Sequence, residues 1–201
     1  MNSKQVFIVG IFILLFGHSA SANAGSAAYG NKIYNPGKLK PVDSRLTVKT
    51  GEKAPDFVLP SISGKPVRLS SFQEKKNLML TFIPAAWTPV CSDQWPGYNI
   101  AQDLFEQYDT HLLGISTDNL PTLFAWTREM GGLWFDVLSD FWPHGAVSSA
   151  YGVLRTDGMS ERAIFLIDKK GIIRFIHVGD INHRPDLGMI VNQLKKLKSL
   201  N

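Results

Sequence analysis

Three uncharged apolar runs decide what this chain can become: residues 78–83 (LMLTFI), 112–116 (LLGIS) and 163–167 (AIFLI). None alternates polar with apolar, so none reads as a strand with one wet face. Such runs fill strands covered on both sides, as in a layered α/β sheet. A fourth run, 172–178 (IIRFIHV), follows the third after Asp168-Lys169-Lys170-Gly171, a turn that makes the pair a hairpin. Residues 57–59 and 67–69, on either side of the Ser63-Gly64 turn, predict an earlier hairpin, and 135–138 a short strand.

Helical spacing fills the intervals. Ala101, Leu104, Phe105 and Tyr108 recur at i, i+3, i+4 and i+7. Leu123, Trp126 and Met130 predict a helix starting near Pro121. Residues 144–151 predict a short helix with Val147, Ala150 and Tyr151 inward. Leu187, Ile190, Val191 and Leu194 predict a last helix, with Lys195, Lys196 and Lys198 at its negative dipole end. Strands alternating with helices, then a hairpin and a helix, give an α/β fold: a central mixed β-sheet flanked by helices on both faces. That order fits a thioredoxin-like fold and leaves other α/β folds open.

The 201 residues suit one domain with a real core. Residues 1–24 read as an export signal: Lys4, an uncharged apolar run over 6–17, then Ala22-Asn23-Ala24 as the cleavage pattern. The run is short of the roughly 20 apolar residues of a spanning helix. Residues 25–50, rich in Gly, Asn, Pro and Lys, predict an extended arm, and 51–201 the folded domain. The expected location is exported, periplasmic or secreted, with no membrane attachment once the signal is cleaved. A net charge of +4 is too weak to argue for nucleic acid or a membrane surface.

One cysteine, Cys91, is present in the whole chain. A lone cysteine in an exported chain makes no internal disulfide and is either an inert buried residue or a reactive thiol. It stands between a predicted central strand and a helix, at the carboxyl edge of the sheet where ligand sites collect. Backbone N–H groups at a helix N-terminus favour thiolate over thiol, and the thiolate is the nucleophile.

The text around it, Pro84-Ala85-Ala86-Trp87-Thr88-Pro89-Val90-Cys91, carries P-x-x-x-T-x-x-C. This resembles the active-site pattern of peroxiredoxins, in a one-cysteine variant of the alkyl hydroperoxide reductase and thiol-specific antioxidant type. Three more segments resemble the family in order: Gly51-Glu52-Lys53-Ala54-Pro55-Asp56-Phe57, Ser139-Asp140-Phe141-Trp142-Pro143-His144-Gly145 with Ala150-Tyr151-Gly152, and residues 161–168. The resemblance implies a peroxidase that reduces hydrogen peroxide or organic hydroperoxides. Cys91 would be the nucleophile and Thr88 would position the peroxide. Arg162 would stabilise the thiolate and the charge developing on the oxygens, and Pro84 would shape the pocket. The resemblance also implies no metal and no cofactor, and a homodimer; with no second cysteine in the chain, recycling falls to an external thiol (a thioredoxin-like protein or a small thiol) or to the Cys91 of a second subunit.

The chain departs from the family pattern at Gln94, where many relatives carry Glu, at Trp87, where a smaller aromatic is frequent, and in lacking a resolving cysteine. Of the five tryptophans, Trp87 is the one expected to touch substrate. The plainer readings are a helix cap for Thr88, a surface ion pair with Glu161 or Asp168 for Arg162, a strand terminator for Pro84, and a loop or cap group for His144. The rival functions are a thiol–disulfide redox protein and a non-catalytic thioredoxin-fold binding module. The first needs C-x-x-C, and Gln94 occupies the second position.

Overall fold

The computed structural model describes residues 30–200, so the export signal expected over 1–24 lies outside the described residues. A small hairpin comes first, β1 (Val58–Pro60) and β2 (Pro66–Arg68), paired antiparallel with Val58 opposite Arg68. The main elements then follow in the predicted order: β3 (Asn77–Phe82), α1 (Pro89–Ile100), α2 (Gln102–Gln107), β4 (Thr110–Ser116), α3 (Leu120–Glu129), β5 (Asp136–Ser139), α4 (Ala146–Ala150), β6 (Ala163–Ile167), β7 (Ile173–Val178) and α5 (Leu187–Lys198).

Five strands form one sheet in the order β5-β4-β3-β6-β7. β3, β4 and β5 run parallel, while β6 and β7 are antiparallel to their neighbours, so the sheet is mixed as predicted. β3 sits at the centre with all six residues buried, which is why its run carries no charge. Alternate side chains serve opposite layers. Leu78, Leu80 and Phe82 face the β1–β2 hairpin, Val147 and Tyr151, while Met79, Leu112 and Leu166 face α1, α3 and α5 through Trp95, Trp126 and Leu194. Gly114 of β4 is required by this second layer: a Cβ there would stand 2.8 Å from the Trp95 ring.

One expectation holds and one is corrected. The stripe from Ala101 to Tyr108 is the short α2 with its two flanking residues, and it is separated from α1 by a break at Ala101, whose N–H turns back to the Tyr98 carbonyl. Pro96 inside α1 has no N–H for the helical ladder, so this segment is weakened before the break. In α4, Ala150 is exposed and Ser148 is buried instead. The polar residue is tolerated because Asp140 accepts from both its N–H (2.7 Å) and its hydroxyl (2.8 Å).

Candidate active site

The register of the sheet brings the site together. Phe82, the last residue of β3, pairs with Ala163, the first of β6, and Ala163 pairs with Val178 at the end of β7. Arg162, one residue before β6, therefore meets both the loop leaving β3 and the segment leaving β7. That loop, residues 83–88, turns the chain into α1, which opens at Pro89 with Thr88 as its N-cap residue. Proline suits the first helical position, where an N–H has no partner. Cys91 falls in the first turn, where backbone N–H groups have no intrahelical acceptors.

The loop is held from several sides. Ile83 donates its N–H to the Ile115 carbonyl (3.0 Å), and Ala86 donates to the Asp118 carboxylate (2.7 Å), which also accepts from the Ser116 hydroxyl (2.6 Å). Trp87 sits at φ 59°, a left-handed conformation that a bulky residue adopts at a cost on the order of 1–3 kcal/mol. Its carbonyl accepts from Tyr34 N–H (2.8 Å). Trp87, expected to touch substrate, is half-buried against the α1 side of the core and is not among the residues lining the cavity described below. Its backbone conformation, which turns the loop, accounts for that placement.

Cys91 is fully buried and Arg162 is 2 % exposed. The Arg162 guanidinium stands over the sulfur, with Nη2 at 3.5 Å and Nη1 at 3.6 Å from Sγ. Its remaining donors go to the Ile181 carbonyl, from Nε (3.1 Å) and Nη2 (2.9 Å), and to Gln94 Oε1, from Nη1 (2.5 Å). The surface ion pair considered for Arg162 is absent: Glu161 pairs with Arg155 at 2.9 Å and Asp168 with Arg174 at 2.6 Å. Gln94 is buried and continues the network, donating from Nε2 to Thr81 Oγ1 (3.2 Å) and to Tyr98 Oη (3.1 Å). Burial pushes the Tyr98 phenol well above its ordinary range, so it stays neutral beside the arginine. A neutral amide thus leaves the guanidinium charge facing the sulfur uncancelled, which a carboxylate at that position would offset.

Thr88 holds the N-cap position of α1, but its side chain makes no capping hydrogen bond. Its hydroxyl donates to the Ala85 carbonyl at 2.9 Å, which leaves its oxygen lone pairs free to accept. His144 is exposed and contacts the Gly158 carbonyl at 2.8 Å, a loop contact away from Cys91. A cavity of about 650 Å³ is lined by Pro84, Thr88, Val90 and Arg162 among others; Cys91 lies behind this lining, in contact with Arg162 and fully buried. The structure thus brings together all four residues singled out from the sequence. Sequence reasoning missed the Ile181 carbonyl, Met159 and the arm residues 34–39, which also line the cavity. Backbone groups and a stretch without periodicity give no signal in a single sequence.

Comparison with known proteins agrees with this geometry. The AhpC/TSA family matches residues 50–176. The alkyl hydroperoxide reductase E of Mycobacterium tuberculosis is 40% identical over 129 residues, covering 64% of this chain and 84% of that protein. The chloroplastic 2-cysteine peroxiredoxin of Chattonella marina var. antiqua is 33% identical over 162 residues, covering 76% of this chain and 82% of its own. Among solved structures, the reduced 2-Cys peroxiredoxin of Plasmodium vivax superposes with a TM-score of 0.71 at 28% identity, over 76% of this chain and 83% of that one. With its thioredoxin-like sheet and its single cysteine, the chain belongs to the AhpC/TSA family and is a one-cysteine, peroxiredoxin-type peroxidase.

Proposed function

We propose that Cys91, as thiolate, reduces hydrogen peroxide or an organic hydroperoxide ROOH by attack on its terminal oxygen. A sulfur–oxygen bond forms as the oxygen–oxygen bond breaks. Sulfur is oxidised to the sulfenic acid, the peroxide is reduced, and the leaving alkoxide takes a proton to become the alcohol, or water from hydrogen peroxide. Two equivalents of an external thiol then regenerate Cys91, releasing water and a disulfide. The observation that carries this reading is the Arg162 guanidinium 3.5 Å from Cys91 Sγ, with Arg162 itself lining an open cavity. Its charge stabilises the thiolate and then the oxygens as they become negative, which is where fixed donors act most strongly. Thr88 accepts a hydrogen bond from the hydroperoxide O–H and orients the substrate, and Pro84 walls the sulfur from bulk water.

Gln94 stands where a thiol–disulfide redox protein needs its second cysteine, and its amide is bonded to Arg162. Reduction of the sulfenic acid therefore falls to a thiol from outside, a thioredoxin-like protein or a small thiol. The enzyme is exported and works in the periplasm or outside the cell as a homodimer, for which the exposed Phe141 and Trp142 offer apolar area. In an assay of peroxide consumption with dithiothreitol as reductant, Cys91→Ser loses turnover while keeping its fold. Retention of turnover by Cys91→Ser contradicts the proposal.

A further inference from the structure

The cavity lined by Pro84, Thr88 and Arg162 is built only in part by the family domain. Residues 34–39 of the N-terminal arm form one of its walls, and they lie outside the 50–176 stretch that matches the family. This segment has no regular secondary structure, so its backbone is satisfied by docking instead. Tyr34 N–H binds the Trp87 carbonyl of the active-site loop at 2.8 Å. Leu39 is clamped from both sides by Asn182, its N–H to Oδ1 and its carbonyl from Nδ2, each at 2.9 Å. Ile181 N–H binds the Pro41 carbonyl at 3.1 Å. Beyond it, the buried Arg155–Glu161 pair takes hold of the arm: Arg155 Nη1 donates to the Lys40 carbonyl at 3.2 Å, and Glu161 Oε1 accepts from Asp43 N–H at 2.5 Å. Further along, the arm backbone presses so closely on Gly152 that a Cβ there would stand 2.3 Å from the Arg45 carbonyl oxygen.

The cavity is mostly apolar, although the arm brings Asn35 and Lys38 to it as well as apolar groups. Pro36 and Leu39 stand with Pro84, Val90, Met159 and Ile181, while Arg162 and Thr88 supply polar groups near the sulfur. At about 650 Å³ the space falls within the range of pockets that bury an organic ligand. Hydrogen peroxide has no apolar surface and gains nothing from such a wall. A hydroperoxide with an alkyl or aryl body does, because that body leaves water as its peroxide end reaches Cys91.

We propose that the arm selects substrate: Pro36 and Leu39 supply the apolar wall that makes this site prefer organic hydroperoxides with a bulky apolar body over hydrogen peroxide, a preference that rests on the peroxidase reading above. The chemistry is unchanged, with the organic body leaving as its alcohol. The wall acts on the encounter between substrate and thiolate and not on the thiolate itself.

The test compares rate constants for oxidation of reduced protein by cumene hydroperoxide and by hydrogen peroxide, in the unaltered chain, Leu39→Ala and Asn182→Ala. Leu39→Ala trims the wall and keeps the arm's backbone bonds, while Asn182→Ala removes the clamp. In both variants the ratio of the cumene hydroperoxide constant to the hydrogen peroxide constant falls about tenfold, equivalent to about 1.4 kcal/mol. An unchanged ratio, or two constants that fall together, overturns the arm's role while leaving the peroxidase reading intact. Failure of both peroxides to oxidise Cys91 in the unaltered chain overturns that reading and the wall with it.

Discussion

Arg162 divides its donors among a sulfur, an amide oxygen and a backbone carbonyl, and this division fixes the guanidinium over Cys91. Thr88 is the residue whose role separates most cleanly from structure, because its hydroxyl caps nothing and donates to Ala85. Thr88→Val keeps the shape and loses the acceptor. It slows the first oxidation by a factor on the order of 10–1000, the scale of one lost transition-state hydrogen bond. Stopped-flow tryptophan fluorescence reads that rate, and an unchanged rate assigns Thr88 to loop structure alone. Cys91, Thr88 and Arg162 were legible in the sequence because a motif and an ordered resemblance marked them. The orientation of Gln94 was not. An amide gives no charge signal, and only the fold reveals that its oxygen faces Arg162 while its nitrogen faces Thr81 and Tyr98.

At the scale of elements, the strands were the readable part: a run buried on both faces excludes charge, and β3, β4 and β6 obey this. The start of α1 was less readable, since Pro89, Ser92, Pro96 and Gly97 break any apolar stripe there. One joint between elements carries a measurable charge effect. Asp109, in the turn before β4 at φ 49°, accepts from Lys169 beside the β6–β7 turn and from Lys76 before β3. The hydrogen bonds from Lys169 and then Lys76 hold its carboxyl below the ordinary 3.8. A folded-state value below the unfolded one gives stability that is present above the unfolded value and lost as pH falls through the folded one. Asp109→Asn tolerates the left-handed backbone and removes the charge. It costs about 0.5–1 kcal/mol near neutral pH, and the difference from the unaltered chain vanishes in acid. Urea denaturation at several pH values measures this, and a difference that persists in acid assigns the loss to packing.

Across the whole molecule, the sheet sets Cys91 and Arg162 face to face, and the arm walls the cavity that Arg162 lines. The arm was expected as an extended segment over 25–50; among the described residues, 33–49 carry no helix or strand. Its contribution to the cavity wall was invisible because backbone hydrogen bonds, and not side-chain periodicity, hold it in place. The rest of the account depends on one event, transfer of a peroxide oxygen to a sulfur that is fully buried in the folded protein. The direct measurement is mass spectrometry of the reduced protein after brief mixing with one equivalent of hydroperoxide and a sulfenic-acid trap such as dimedone. The account predicts the adduct on Cys91 in the time of the fast fluorescence phase, together with release of one equivalent of alcohol. An unmodified Cys91 in excess peroxide contradicts it and leaves a thioredoxin-fold protein whose cysteine is a packing residue.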